Sequence, residues 1–315
     1  TNFGASPQVI NFNVVPQVNA PNLSCFGDTI TFDWNVLPQP IINNLGPLVY
    51  CNNTPVASFG FSGIANQYSW VNNNTSVGVG ASGLDSIGAF TAVNNLSTPN
   101  EALITVTPIY QTILNTCVGT PIDLELVVNP SAQVTPIQDE LYCHEATTLG
   151  TIINGTGSSY DWANSNPSIG LSASGTGQIP SFTAYNPGNT AAIGQITIIP
   201  YFSYLGLNCP GDTSQFTITV QPQPYALVPN DTLICNGDSI NYNLNSTISA
   251  SYQWYASSNG NISGANTSPQ TTNPLNQTLT NNSAVAQQVS YTVTPTSLAG
   301  CTGPDSSFVV TIQPN

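Results

Sequence analysis

Seven cysteines, one histidine and fourteen carboxylates are the side chains from which this chain could build chemistry. The cysteines fall into two sets. Cys25, Cys117, Cys209 and Cys301 follow one another at 92 residues, and Cys51, Cys143 and Cys235 keep the same step. Cysteines on such a ruler read as a disulfide framework of an oxidising compartment rather than as nucleophiles. The one histidine, His144, lies between Cys143 and Glu145. Neighbours on a strand face opposite ways, so that adjacency does not assemble a catalytic pair. With no Lys, Arg or second His, an activated nucleophile and a transition-state clamp lack their parts. Asp28, Asp212 and Asp238 recur in Cys-x-Gly-Asp turns. Each turn offers one carboxylate where calcium needs several converging oxygens, so these aspartates read as turn caps. The expectation is no enzyme: no catalytic residue, no metal and no cofactor.

The elements that must position the cysteines obey the same ruler. Pro38, Pro130, Pro222 and Pro314 each close a strand-like run, and Tyr68/Trp70, Tyr160/Trp162 and Tyr252/Trp254 recur at the same interval. Pro16, Pro108 and Pro200 agree; the next member, Pro295, comes three residues late, and the loop from there to Cys301 is three shorter. A folded unit with fixed ends tolerates such an insertion and compensating deletion. Fixed-period self-similarity of this kind marks a repeat architecture.

Composition describes the surface. Lys and Arg are absent from 315 residues, the formal charge is −14, and hydrophobic residues make up 40%. That share fills cores, and Asn, Ser, Thr and Gln supply the solvated face. A chain without cations neither neutralises nucleic-acid phosphates nor anchors to an anionic membrane surface. No apolar run approaches the roughly 20 residues of a spanning helix, which predicts no membrane insertion. Trypsin-type proteases find no cleavage site, and Lys–Asn isopeptide staples cannot form. Without an initiator Met or a signal peptide, the chain reads as a piece of something longer.

Alternation of period two dominates the local pattern: Ile30, Phe32, Trp34 and Val36; Ile122, Leu124, Leu126 and Val128; Phe216, Ile218 and Val220; Phe308, Val310 and Ile312. In the unit 133–224 strands are expected before Cys143, over 147–153 and 159–164, more weakly to Phe182, and over 193–199 and 213–220. About seven strands per unit make an all-β, immunoglobulin-like two-sheet sandwich. Tyr68, Trp70, Tyr160, Trp162, Tyr252 and Trp254 are then core residues on the third strand. The predicted division is 1–40, the last strands of a preceding repeat; 41–132; 133–224; and 225–315, set end to end as a rod. Two strands alone cannot bury a core, so 1–40 calls for a preceding partner or for strands from another chain.

Taken in order, Cys235-Asn-Gly-Asp-Ser239, Tyr252-Gln-Trp254, Thr292-Val-Thr-Pro295 and Gly300-Cys-Thr-Gly303 resemble the PKD-like (polycystic-kidney-disease-like) immunoglobulin-type repeats of giant Bacteroidota surface adhesins. The resemblance covers the whole chain. It departs at Cys143-His-Glu and Cys51-Asn-Asn, where the glycine-acid turn should stand. It implies type IX secretion, an extracellular cell-surface location, and a role in adhesion, gliding motility or filament formation. It also raises O-glycosylation at Asp-[Ser/Thr]-aliphatic triplets, here at Thr29, Ser86, Thr232 and Ser239. Two function classes follow. One is a structural stalk or filament whose partners are neighbouring repeats and further copies of the chain. The other is a module binding carbohydrate or protein through the variable loops 57–66 and 255–275.

Cysteine pairing has two registers. Economy favours 66-residue links within units: Cys51–Cys117, Cys143–Cys209 and Cys235–Cys301. Strand direction favours staples between units, Cys51–Cys209 and Cys143–Cys301, with Cys25, Cys117 and Cys235 left for partners outside the chain. In a seven-strand sandwich Cys143 and Cys209 lie at opposite ends, about 30 Å apart by strand length, whereas a disulfide spans at most about 7 Å between Cα atoms. Both registers stay open at the level of sequence.

Overall fold

The computed structural model describes all residues, Thr1–Asn315. Alternation decides which faces close. In Ile122–Asn129, Leu124, Leu126 and Val128 are buried while Asp123 and Glu125 stay in solvent; in Ser214–Gln221, Phe216, Ile218 and Val220 turn inward. The chain is all-β, interrupted by single 3-10 turns at Thr75–Val77 and Pro167–Ile169. It divides into two compact units. The first comprises Thr1–Gln133, Gly155–Ser159 and Pro200–Asp212; the second comprises Val134–Asn154, Tyr160–Ile199 and Thr213–Asn315. Gly155–Ser159 and Pro200–Asp212, which include Cys209 bonded to Cys51, group with the first unit.

In the first unit the main sheet runs in the order Ser82–Leu84, Gln67–Asn72, Asn100–Gln111, Ile122–Asn129, Leu48–Cys51. The last pair is parallel and the others are antiparallel. Short pairs form the facing layer: Pro55–Val56 with Phe90–Thr91, and Phe59–Gly60 with Ser86–Ile87. Val56, Phe59 and Phe90 pack against Trp70, Ile104 and Leu124 to make one core. The second unit holds two such cores, one around Trp162, Ile196 and Ile218, the other around Trp254, Tyr291 and Val310. Its sheets run Glu140–Cys143, Ser214–Gln221, Ala192–Tyr204, Ser159–Asn164, Ser174–Thr176, and Thr232–Ile234, Ser306–Ile312, Gln287–Ser297, Ala250–Ser258.

Two expectations change in detail, over 147–153 and 255–275, and residues 41–51 are not one continuous strand. Ile41–Ile42 pairs with Gly63–Ile64, the chain turns through Gly46-Pro47, and Leu48–Cys51 joins the main sheet. Residues 147–153 form no regular strand, only bridges at Thr147 with Thr183 and Thr151 with Ile179. Gly150, at φ +78°, breaks the ladder where the backbones come close. In 255–275, Tyr255 to Ser258 are not loop but continue the strand Ala250–Ser258.

The N-terminal segment is a two-stranded ribbon, Gln8–Val14 on Ile30–Val36, capped by the hairpin Gln17–Ala20/Leu23–Phe26. The register sets Ile10, Phe12, Val14, Ile30, Phe32 and Trp34 on one face. Phe32 and Trp34 are 43% and 60% exposed, whereas Leu124 and Leu126, one period later, are fully buried. The ribbon therefore carries a core face with no facing layer.

Candidate functional site at the repeat junctions

Strand direction places the cysteines. Each first strand runs parallel to the last strand of its own repeat, so Cys51 stands opposite Asn129 and Cys143 opposite Gln221, at the end where the chain leaves the repeat. Cys117 and Cys209 sit in the hairpin that precedes the last strand, opposite Tyr110 and Phe202, at the other end of the same sheets. A bond within one repeat would have to span the length of the sheet. The structure joins Cys51 to Cys209 and Cys143 to Cys301 instead, with Cα separations of 5.4 and 5.5 Å, each pair separated by 158 residues in sequence. Cys25, Cys117 and Cys235 are free, Cys25 and Cys235 being exposed.

Around Cys51–Cys209 the strand Leu207–Pro210 lies against Leu48–Cys51. The Asn129 side-chain amide donates to the Tyr204 carbonyl at 3.2 Å, and the Tyr204 hydroxyl meets Glu101 at 3.4 Å. The Glu101 carboxylate beside it raises the Tyr204 phenol above its ordinary pKa.

A glycine notch receives the linker. The N–H groups of Gly119, Gly211 and Gly303 donate to the carbonyls of Pro108, Pro200 and Pro295 at 2.8–2.9 Å, which is how the Thr-Val-Thr-Pro and Cys-x-Gly motifs meet. The three-residue shift of Pro295 leaves this bond intact. A Cβ on Gly119, Gly211 or Gly303 would stand 2.2, 1.8 or 1.7 Å from the carbonyl oxygen of Pro40, Ala132 or Pro224, the incoming linker. Only glycine permits that approach. Gly211→Ala is expected to displace the linker and cost about 1–3 kcal/mol; thermal unfolding checks it, and an unchanged midpoint would show that the linker does not seat there.

A buried asparagine locks the other end, and sequence reasoning missed it. Asn94, Asn186 and Asn281 each donate the side-chain amide to two carbonyls, one four residues on (Thr98, Thr190, Val285) and one near the end of the last strand (Val128, Val220, Ile312), at 2.7–3.1 Å. Asn2 does the same with Ser6 and Val36. The backbone N–H of each is in turn accepted by the residue after the first-strand cysteine: Asn52 Oδ1, His144 Nδ1 and Asn236 Oδ1, at 2.8–2.9 Å. His144 is thus a buried stand-in for asparagine, its ring set edge-on to Tyr185. Asn186→Ala is expected to cost about 1–3 kcal/mol, the penalty of leaving buried carbonyls unpaired. His144→Asn should be nearly neutral and His144→Leu costly in the same unfolding assay. Equal losses from both histidine variants would assign the role to ring packing instead.

Residues 232–315 match the family model of the PKD-like domain. No curated protein sequence matches the chain. Among solved structures it is similar to the I67–I69 I-band fragment of titin (TM-score 0.48, 9% identity, 89% of this chain and 100% of that one). It is also similar to mouse cadherin-23 EC22–24 (TM-score 0.34, 10% identity, 88% and 99%). A third is the Dpr2 Ig1–Ig2 complex with DIP-Theta Ig1–Ig3 (TM-score 0.38, 10% identity, 86% and 99%).

The other residues singled out in the sequence lie apart from the junctions. Trp70, Trp162 and Trp254 are 6%, 4% and 1% exposed, and Tyr68 and Tyr160 are buried beside them. Trp70 Nε1 donates to the Ser86 carbonyl at 3.0 Å and Trp254 Nε1 to Thr272 at 2.8 Å. Tyr252 is only half-buried, its hydroxyl 2.9 Å from Ser246 Oγ. Its repeat fills the core with Tyr291 stacked on Phe308, where Ile104 and Ile196 stand in the others. Thr29, Ser86, Thr232 and Ser239 are all exposed. Asp238 caps its turn by accepting the Cys235 N–H at 3.0 Å. Asp139 accepts Thr217 N–H at 2.7 Å, which holds its carboxyl below the ordinary carboxylate pKa. That stabilisation is present at neutral pH and lost as pH falls through the lowered value. No group of three or more His, Cys, Asp or Glu side chains converges.

Proposed function

We propose that this chain is a spacer region, stalk or filament, of an extracellular bacterial cell-surface adhesin, exported by the type IX route. The observation that carries the reading is the junction: disulfide, glycine notch and asparagine lock recur in register at the ends of the repeats. The periodic residues fill cores, as Trp70, Trp162 and Trp254 do, or stand at repeat ends, as the bonded cysteines do. PKD-like sandwiches and two disulfides fit a structural or adhesive repeat in an oxidising compartment. No helix is long and apolar enough to cross a membrane. The exposed hydroxyls of Thr29, Ser86, Thr232 and Ser239 belong to the same proposal as O-glycan attachment points. A spacer should give no signal on a glycan array. Saturable binding of one glycan class, lost on changing residues in 57–66 or 259–275, would move the assignment to a binding module.

A further inference from the structure

We infer that the staggered disulfides make the array inextensible, by carrying tension along two interleaved covalent tracks that bypass most of the chain. Every bond joins the first-strand cysteine of one repeat to the hairpin cysteine of the next, 158 residues on. From each hairpin cysteine the following first-strand cysteine is only 26 residues away: Cys25 to Cys51, Cys117 to Cys143, Cys209 to Cys235. The seven cysteines therefore sort into two series. One runs Cys25, Cys51, across the bond to Cys209, then Cys235. The other runs Cys117, Cys143, across the bond to Cys301.

Tension entering at Cys25 and leaving at Cys235 has a covalent route through residues 25–51 and 209–235 alone. Residues 52–208, which hold the buried residues around Trp70 and most of those around Trp162, lie outside it, while Phe216, Ile218 and Val220 lie on it. Just over half of the route from Cys209 to Cys235 is already strand: Cys209 and Pro210, Ser214–Gln221, Ala226–Leu227 and Thr232–Ile234. A chain reaches at most about 3.3–3.6 Å per residue, so the extension left in it is limited. Links confined to single repeats would protect each core but leave every linker as the sole connection; the staggered register doubles the connection across each junction. A sandwich on either track can open without the array lengthening. This rests on the spacer reading only for the direction of the load.

Cys25 and Cys235 are exposed free thiols and serve as thioether-linked handles for single-molecule pulling, with Cys117→Ser removing the third thiol. The track comprises 54 residues and the full stretch 211, a difference of about fourfold. The oxidised chain should reach a limit of about 190 Å at about 3.5 Å per residue, and reduction should release a further ~530–550 Å. Removing Cys143 and Cys301 together should leave the oxidised limit unchanged, while removing Cys51 and Cys209 should abolish it. Long extension in the oxidised chain, or equal release by either double variant, would overturn the two-track assignment. That outcome is separate from the glycan-array result, which decides whether the chain is a spacer at all.

Discussion

Trp254→Ala should lower the stability of the repeat that contains it by about 3–5 kcal/mol, the usual cost of deleting a large buried aromatic. The indole is 1% exposed, lies 6.2 Å from the Tyr291 ring, and gives its N–H to the Thr272 carbonyl at 2.8 Å. Truncation loses the buried area, opens a cavity and leaves that carbonyl without its donor. Repeats couple mainly to their neighbours, so the loss should concentrate in residues 225–315 and leave the core around Trp70 nearly untouched. Denaturant unfolding followed by hydrogen exchange resolves the cores. A loss below about 1 kcal/mol, or one spread evenly over all three cores, would contradict the packing described. Trp162 offers a comparison, because its Nε1 is buried without a partner where Trp70 Nε1 has Ser86. Gln178, one period after Ser86, instead turns its side chain to Ile153.

The second large effect is expected from the disulfides. Replacing Cys51 and Cys209 by serine should cost about 2–5 kcal/mol, since a long closed loop restricts the unfolded chain strongly. The pattern of the loss matters more than its size. With the bond present, the unfolding midpoints of the residues on its two sides, 41–132 and 133–224, should lie close together; without it they should move apart. Removing Cys143 and Cys301 should uncouple 133–224 from 225–315 in the same way. If either pair proved dispensable to both midpoint and cooperativity, the bonds would be incidental to the junction.

How much of this was legible in the sequence depended on whether a residue's role left a periodic trace among unlike neighbours. Cysteine, tryptophan and proline are scarce enough that a 92-residue step is visible at once, and strands such as Ile122–Asn129 declare their buried face by alternation. The facing layer is harder to read. Its pairs are two residues long and broken by glycines such as Gly63 and Gly150, so 147–153 looks like a strand and pairs only at single bridges. The asparagine lock was hidden for another reason. Asn94, Asn186 and Asn281 keep the ruler, with the same three-residue shift as Pro295, but asparagine is so common here that a periodic one attracts no notice. In sequence His144 reads as part of no catalytic pair, which leaves it without a role; its Nδ1 does what two asparagine side chains do elsewhere. Tyr252 kept its place in sequence yet is only half-buried, in the repeat whose core holds Tyr291 where the others hold Ile104 and Ile196.

The most direct test of the junction is the covalent map of the unreduced protein. Trypsin has no site in a chain without Lys or Arg, so digestion requires a protease that cuts beside acidic or aromatic residues. Mass spectrometry of the unreduced digest should find Cys51 linked to Cys209 and Cys143 linked to Cys301, with Cys25, Cys117 and Cys235 open to alkylation. A peptide linking Cys143 to Cys209, or Cys51 to Cys117, would place the bonds inside single repeats and contradict the account.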